Sequence, residues 1–250
     1  MVDVRIRFGG IQFEGGLGAA TYTIESDGIT GLFAGGAGFK RDETARPGSH
    51  GDFPTPSFRT GRRASWQGLI LTENAMEQEH AIRSLEATVG IGGSSQLILD
   101  TPVRSTWGMF VGDDMDVNVE VYGRVASYRI GVYAQDPRLY GEVREFGVGA
   151  AAYHLGNFPA SPELIVTGPK ASGYTITGPS GRQYIVTEPL GAGQTDRIDL
   201  MTGWLYRDGA LLMGGVSQAQ VWALQSGGPS FVHSITGGSG LTVRVADTFM

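Results

Sequence analysis

Residues 115–133 read MDVNVEVYGRVASYRIGVY. Val117, Val119, Val121, Gly123 and Val125 fall on every second position, the period of a strand with one buried face. Tyr128, Ile130 and Val132 continue the alternation with the opposite parity. A bulge or a tight bend near residues 126–127 is therefore expected, because it returns a single face to the core. The same period recurs in 4–8, 64–71 and 96–99, so the first half of the chain reads as mainly β.

One segment breaks this pattern and predicts a helix over about 72–89. Thr72 is placed to cap it, and Glu73, Glu77 and Glu79 put negative charge toward its positive end. Met76, Ala81, Ile82, Leu85 and Val89 share a face, and Gly90 offers a left-handed stop. Between residues 28 and 61 lies a stretch rich in Gly, Pro and Arg with little periodicity. It exceeds the ~12–15 residues of ordinary structureless loops, which predicts either disorder or ordering by a partner.

The segment GNFPASP at 156–162 reads as a linker. Beyond it short strands are expected at 164–167, 174–177, 183–187, 197–200, 204–207, 219–224 and 241–246, with Gly, Pro and Asp turns between them. Closely spaced short strands of this kind make a sandwich or barrel. The expected partition is a β domain with one helix at 1–150 and a second β domain at 151–250.

The 250 residues are 41% hydrophobic and 18% charged, enough to build a buried core. Forty glycines exceed the usual ~7% share, and without a triplet period they read as turns. The net charge is −6, about −4 before residue 140 and −2 after it. Neither half has the basic footprint of a protein that grips nucleic acid or an anionic membrane. There is no cysteine, hence no disulfide, thiolate cage or cysteine nucleophile. The charged start MVDVRIRFGG lacks the apolar core of a signal peptide, so synthesis and retention in the cytosol are expected.

The search for chemistry is unrewarding. His50 lies in Gly48-Ser49-His50-Gly51-Asp52, where three such neighbours on a glycine-rich turn cannot form a relay. His80 falls among glutamates on the helix, and His154 and His233 have no second ligand at metal spacing. Asp114, Asp116, Asn118 and Glu120 suggest the start of a calcium loop, but Val119 stands where such a loop needs glycine. They read as the polar side of a strand. Gly147-Val148-Gly149-Ala150 lacks the helix of a dinucleotide fingerprint, and Gly35-Gly36-Ala37-Gly38-Phe39-Lys40 lacks phosphate-loop spacing. Trp66, Trp107, Trp204 and Trp222 read as core residues. No catalytic residue, cofactor or metal ligand is assigned, and a binding or assembly module is expected in place of an enzyme.

The order of elements carries a resemblance. A long loop with Pro47-Gly48-Ser49-His50-Gly51 is followed by the arginine-led strand Arg62-Arg63-Ala64-Ser65-Trp66-Gln67-Gly68. A helix comes next, then a strand pair ending in Ala134-Gln135-Asp136-Pro137-Arg138-Leu139-Tyr140. Over nearly the whole chain this resembles the distal tail proteins of phages with long non-contractile tails. The resemblance implies a ring-forming N-terminal β domain followed by a galectin-like β-sandwich, and no active site. It implies a homo-oligomeric ring, usually a hexamer, in the virion tail tip, between the tail tube protein and the tail-tip hub protein. DNA passes through such a ring without specific binding and without membrane insertion.

On that reading Phe33, Phe39, Phe53 and Phe58 of the 28–61 loop are expected at subunit or tail-protein interfaces. Asp113, Asp114 and Asp116 are expected to line the channel and repel phosphate. Two other classes stand beside it. One is a carbohydrate-binding module that recognises a host-surface glycan through the second domain. The other is a wall-degrading enzyme that uses Asp116 and Glu120.

Overall fold

A computed structural model describes residues 4–16, 20–90, 92–228 and 230–250. Its contacts divide the chain into Met1–Leu139 with Met250, and Tyr140–Phe249. The first unit runs β1 (Arg5–Phe8), β2 (Ile11–Gly15), β3 (Thr23–Ile24), β4 (Ile29–Thr30), β5 (Ala37–Lys40), β6 (Phe58–Leu71), α1 (Ala75–Gly90), β7 (Ser95–Asp100), β8 (Ser105–Val121) and β9 (Val125–Ala134).

The stretch quoted above is a hairpin. β8 ends at Val121 and β9 begins at Val125, and Gly123 takes φ +79° in the turn between them. The tight bend therefore comes slightly ahead of residues 126–127, and the parity change is the reversal of the chain. β8 has two partners along its length. Its first part pairs with β7, from Ser95↔Phe110 to Asp100↔Ser105, and its second part pairs with β9. The partner changes between Phe110 and Val111, and just inside the β8–β9 pairing the register slips between Gly112 and Asp114, leaving Asp113 as the extra residue.

This switch produces two facing layers. One holds β3, β2, β1 and β7, with Ile6, Phe8, Phe13, Leu97 and Leu99 turned inward. The other holds β9 and β6, in register from Arg62↔Ala134 to Leu71↔Val125, with Trp66, Ile70, Tyr128, Ile130 and Val132 turned inward. The layers meet through aromatic rings: Trp66 packs edge-on against Phe8 and Phe13 at 6.0 and 5.3 Å, and Tyr128 lies 5.7 Å from Phe13.

The helix departs from its expected details. It starts at Ala75, and its cap is Asn74, whose Oδ1 accepts the Glu77 N–H at 3.0 Å while Glu77 accepts the Glu73 N–H at 3.0 Å. Thr72 belongs to the preceding segment, where its N–H donates to the Arg124 carbonyl. Ala81 and Leu85 are buried as expected, but Met76 is largely exposed. Gln78 takes the inward place near the helix start, donating to the Val121 carbonyl and accepting the Gly123 N–H. Gly90 is the last helical residue with no left-handed φ, and the first glycine with positive φ beyond it is Gly92.

The second unit comprises β10 (Leu139–Gly147), β11 (Ala151–Ala152), β12 (Glu163–Thr167), β13 (Tyr174–Thr177), β14 (Gln183–Val186), β15 (Thr195–Asp199), β16 (Trp204–Arg207), β17 (Ala210–Leu211), β18 (Val216–Ala219), β19 (Phe231–Val232), β20 (Ser234–Ile235) and β21 (Leu241–Phe249). One sheet is ordered β17-β16-β15-β12-β21-β10 and another β18-β14-β13-β20. Leu164, Val166, Ile198 and Val243 from the first share one core with Tyr174, Ile176, Tyr184 and Val186 from the second, which makes a β-sandwich. The fold is mainly β, with one α-helix among the described residues.

Two expectations for this unit are corrected. Residues 156–162 are built into it, because the Phe158 N–H donates to Thr248 and the Ala160 N–H to Leu224. The 219–224 segment forms no ladder: the strand is Val216–Ala219, and beyond it Trp222 and Leu224 are buried on an extended segment held by the Ala160↔Leu224 bridge. β10 precedes residue 150 yet falls in the second unit, beside β21.

Candidate assembly surface

The 28–61 stretch, expected to lack regular structure, is ordered along β6. β4 pairs as Ile29↔Trp66 and Thr30↔Ser65, and β5 as Ala37↔Arg62, Phe39↔Arg59 and Lys40↔Phe58. Part of its glycine content follows from this close approach. Gly31 and Gly36 both have positive φ, and a Cβ at either would overlap the Arg63 carbonyl oxygen. Beyond Lys40 the chain makes a second, smaller reversal, in which Phe53 donates to Thr44 at 2.9 Å and Arg46 to Gly51 at 3.1 Å. The result is an arm of residues 38–60, exposed throughout except for the half-buried Thr55 and Thr60.

The arm is fixed at its root by one side chain. Arg62 is only 1% exposed, and its guanidinium donates to three carbonyl oxygens: Pro137 at 2.7 Å, Gly31 at 2.6 Å and Gly35 at 3.1 Å. Burial, with Arg59 nearby, lowers its pKa. Three oriented carbonyl dipoles take the place of a carboxylate, so this charge is held by backbone geometry.

All four phenylalanines named from the sequence are between 49% and 68% exposed. The structure does not bring them into one cluster. Phe39 lies under Arg59, 3.7 Å from ring centroid to guanidinium, and Phe53 under Arg46 at 5.7 Å. Phe58 sits opposite Lys40 where the arm begins. Phe33 lies before β5 and walls a separate groove of about 770 Å³ with Val4, Ile24, Ile29 and Leu69, whose charged lining residues, among those described, are Glu25 and Asp27. Burying a phenylalanine side chain fully is worth ~1.5–3 kcal/mol, so each half-exposed ring holds about 1 kcal/mol in reserve for a contact. The groove escaped sequence reasoning because its walls come from four separate segments.

Asp113, Asp114 and Asp116 are all exposed on β8. Their surroundings differ. Asp113, the bulge residue, is paired with Arg63, and Asp116 stands across from Arg129 in the β8–β9 register. Asp114, Asp116, Asn118 and Glu120 are exposed, but the opposite side of this half of β8 is not buried as the alternation implied: Val119 is 45% and Val121 53% exposed, and the register slips again between them. Among the described residues no group of three His, Asp or Glu side chains could hold a metal.

The two histidines of the second unit are engaged locally. His154 is buried, with Nδ1 accepting the Gly156 N–H and Nε2 within 3.2 Å of the Leu224 carbonyl, so Nε2 carries the proton. His233 Nε2 accepts the Trp222 indole N–H at 3.1 Å. Two further buried groups escaped sequence reasoning: Gln78, already described, and Asp196, which accepts both Arg207 and the Tyr174 hydroxyl. Trp66 and Trp222 are core residues as expected, whereas Trp204 is 47% exposed on β16.

No family model matches the chain, and no curated protein matches it in sequence. Solved structures do match. The Dit protein of phage SPP1, described as a paradigm of the hub adsorption apparatus in phages that infect Gram-positive bacteria, superposes with a TM-score of 0.77 at 12% identity, over 99% of both chains. The chain has the Dit fold. The baseplate of phage P2 in its activated conformation matches with a TM-score of 0.57 at 8% identity, over 100% of this chain and 98% of that one, in the structure with Ca. The structure with Sr gives 0.56 at 8% identity. In this Dit fold the arm belongs to the first unit and the sandwich to the second, and the likeness runs through both.

Proposed function

We propose that this chain is a structural component of a phage tail tip. Its first unit assembles into a ring, most simply of six copies, that joins the tail tube to the tail-tip hub and leaves a channel for DNA. The observation that carries this reading is the match to the SPP1 Dit protein over 99% of both chains. The exposed arm supports it, since half-exposed aromatic rings stacked on arginines suit protein interfaces. The role needs no catalysis.

For the channel, Asp113 is paired with Arg63 and Asp116 stands across from Arg129, so repulsion of phosphate rests first on Asp114. Light scattering on the purified protein, with negative-stain images of the same fractions, tests the ring. A closed ring of six supports the reading. A monomer at every concentration, alone and with the cognate tail tube protein, overturns it.

One observation favours a second role for the sandwich, recognition of a host-surface glycan. Trp204 presents a half-exposed indole of the kind sugars stack on. A glycan array with the full chain, compared with Trp204→Ala, tests this, and equal background binding by both rejects it.

A further inference from the structure

In the second unit the long sheet turns one face to the sandwich core and the other outward. On the outward face the register sets Trp204, Asp199, Glu163 and Arg244 in a single row across β16, β15, β12 and β21. Neighbouring strands lie ~4.8 Å apart, so the row runs about 14 Å. All four residues are half-buried or exposed.

The polar members of the row are already braced. Glu163 accepts Arg197 at 2.8 Å on one oxygen and Arg244 at 3.0 Å on the other. Arg197 also lies on the Tyr206 ring, 4.2 Å from its centroid, and Arg244 pairs with Glu145 at 3.0 Å. Asp199 accepts the Met201 N–H at 2.8 Å and the Thr202 hydroxyl at 2.9 Å. A carboxylate offers about four lone-pair sites and a guanidinium five N–H donors, so Asp199 can still accept and both arginines can still donate. Trp204 differs from Tyr206. Among the described residues no ring or guanidinium lies on its indole, and its indole N–H has no acceptor.

We infer that this row binds a neutral oligosaccharide of pyranose rings, one ring on Trp204 and the next over Asp199 and the Arg197–Glu163–Arg244 brace. A pyranose has a face of C–H groups and a rim of hydroxyls that both donate and accept. The row meets both halves, with a bare aromatic face beside fixed acceptors and donors. One ring fills only the Trp204 end, so the ligand is a chain. Two guanidiniums stand against the three carboxylates of Asp199, Glu163 and Glu145, so an acidic sugar is repelled and a neutral one is not. The inference rests on the glycan reading of the sandwich, and gives that reading its site and its class of ligand.

A glycan array probed with the full chain tests it, printed with neutral hexose and N-acetylhexosamine oligosaccharides beside uronate-, sialic acid- and phosphate-bearing ones. Trp204→Ala removes the platform, Trp204→Phe keeps an aromatic face, and Arg197→Gln removes one arm of the brace. Each is first shown to keep the wild-type circular dichroism. The wild type is expected to bind neutral oligosaccharides, with a signal that high salt leaves unchanged because the ligand carries no charge. Titration calorimetry with the best neutral oligosaccharide is expected to give a Kd about tenfold weaker for Trp204→Ala. Trp204→Phe is expected to fall between that variant and the wild type, and Arg197→Gln to bind several-fold more weakly than the wild type.

Neutral binding that survives both Trp204→Ala and Arg197→Gln rejects this row and leaves the glycan reading standing. Binding confined to the acidic glycans and lost at high salt rejects the class of ligand and again leaves that reading standing. Binding to no glycan on the array rejects both, and the tail-tip role stands apart from either result.

Discussion

The guanidinium of Arg62 donates to the carbonyl oxygen of Pro137 at 2.7 Å, joining the root of the arm to a segment 75 residues further along the chain. The same group reaches Gly31 and Gly35, so a single buried side chain sets where the arm leaves the body of the first unit. Arg62→Ala leaves three carbonyl oxygens without their donor. A loss of about 3 kcal/mol is expected, since stranding buried polar groups costs ~1–3 kcal/mol each and the site can partly relax. Arg62→Lys is expected to recover little, because an ammonium cannot match the planar fork. Urea unfolding checks both, as a lower midpoint at unchanged slope.

His233 makes the second unit sensitive to acid. Burial drives its imidazole from 6.5 down to about 4. The unfolded chain therefore binds the proton first, and the stabilisation is full above pH 6.5 and lost as pH falls toward 4. The loss is on the order of 3 kcal/mol across that interval. His233→Gln keeps an acceptor for the Trp222 indole and removes the titration. Urea midpoints at pH 7 and pH 4.5 are expected to differ less in this variant than in the wild type, and equal differences would assign the acid loss to other groups.

Two glycines on strands make opposite predictions. A Cβ on Gly68 overlaps the Thr23 carbonyl oxygen and crowds the Ile24 backbone, whereas one on Gly147 meets nothing within 4 Å. Gly68→Ala is expected to cost about 3 kcal/mol by forcing β3 away from β6. Gly147→Ala is expected to stay within about 0.5 kcal/mol of wild type. Thermal unfolding of the pair distinguishes a steric demand from a general dislike of alanine in strands.

The helix cap offers a test between neighbouring residues. Asn74→Ala removes the acceptor for the Glu77 N–H, and about 1 kcal/mol of stability is expected to go with it. Thr72→Ala removes only a 3.4 Å hydroxyl contact with the Gly123 carbonyl and is expected to have the smaller effect. The reverse order in denaturant midpoints would return the cap to Thr72.

Alternation made most strands legible: Tyr174–Thr177 and Trp204–Arg207 stand where the sequence places them. Alternation is a statement about burial, however, and Trp222 and Leu224 alternate on a segment without a ladder. Inward polar groups were hidden for a related reason. Asp196 shares its parity with buried Ile198, but only the folded sheet brings Arg207 and Tyr174 to it. Arg62 reads as a surface arginine until the three carbonyls that receive it are in place. The arm phenylalanines were legible as a set because phenylalanine is conspicuous in a polar, glycine-rich stretch. Their division into arm and groove was not, since it depends on the β5–β6 pairing.

In the second unit β12 is flanked by β15 on one side and β21 on the other. Glu163 on β12 bonds to Arg197 of β15 and Arg244 of β21, so one carboxylate ties the three strands together. A nascent chain that has already laid β15 and β16 beside β12 still carries the other edge of β12 bare until residues 241–249 emerge. During that interval the half-built sheet presents a strand edge to any other chain that can pair with it. Weak expression, which keeps such half-built sheets few and far apart, should therefore raise the soluble yield of this protein.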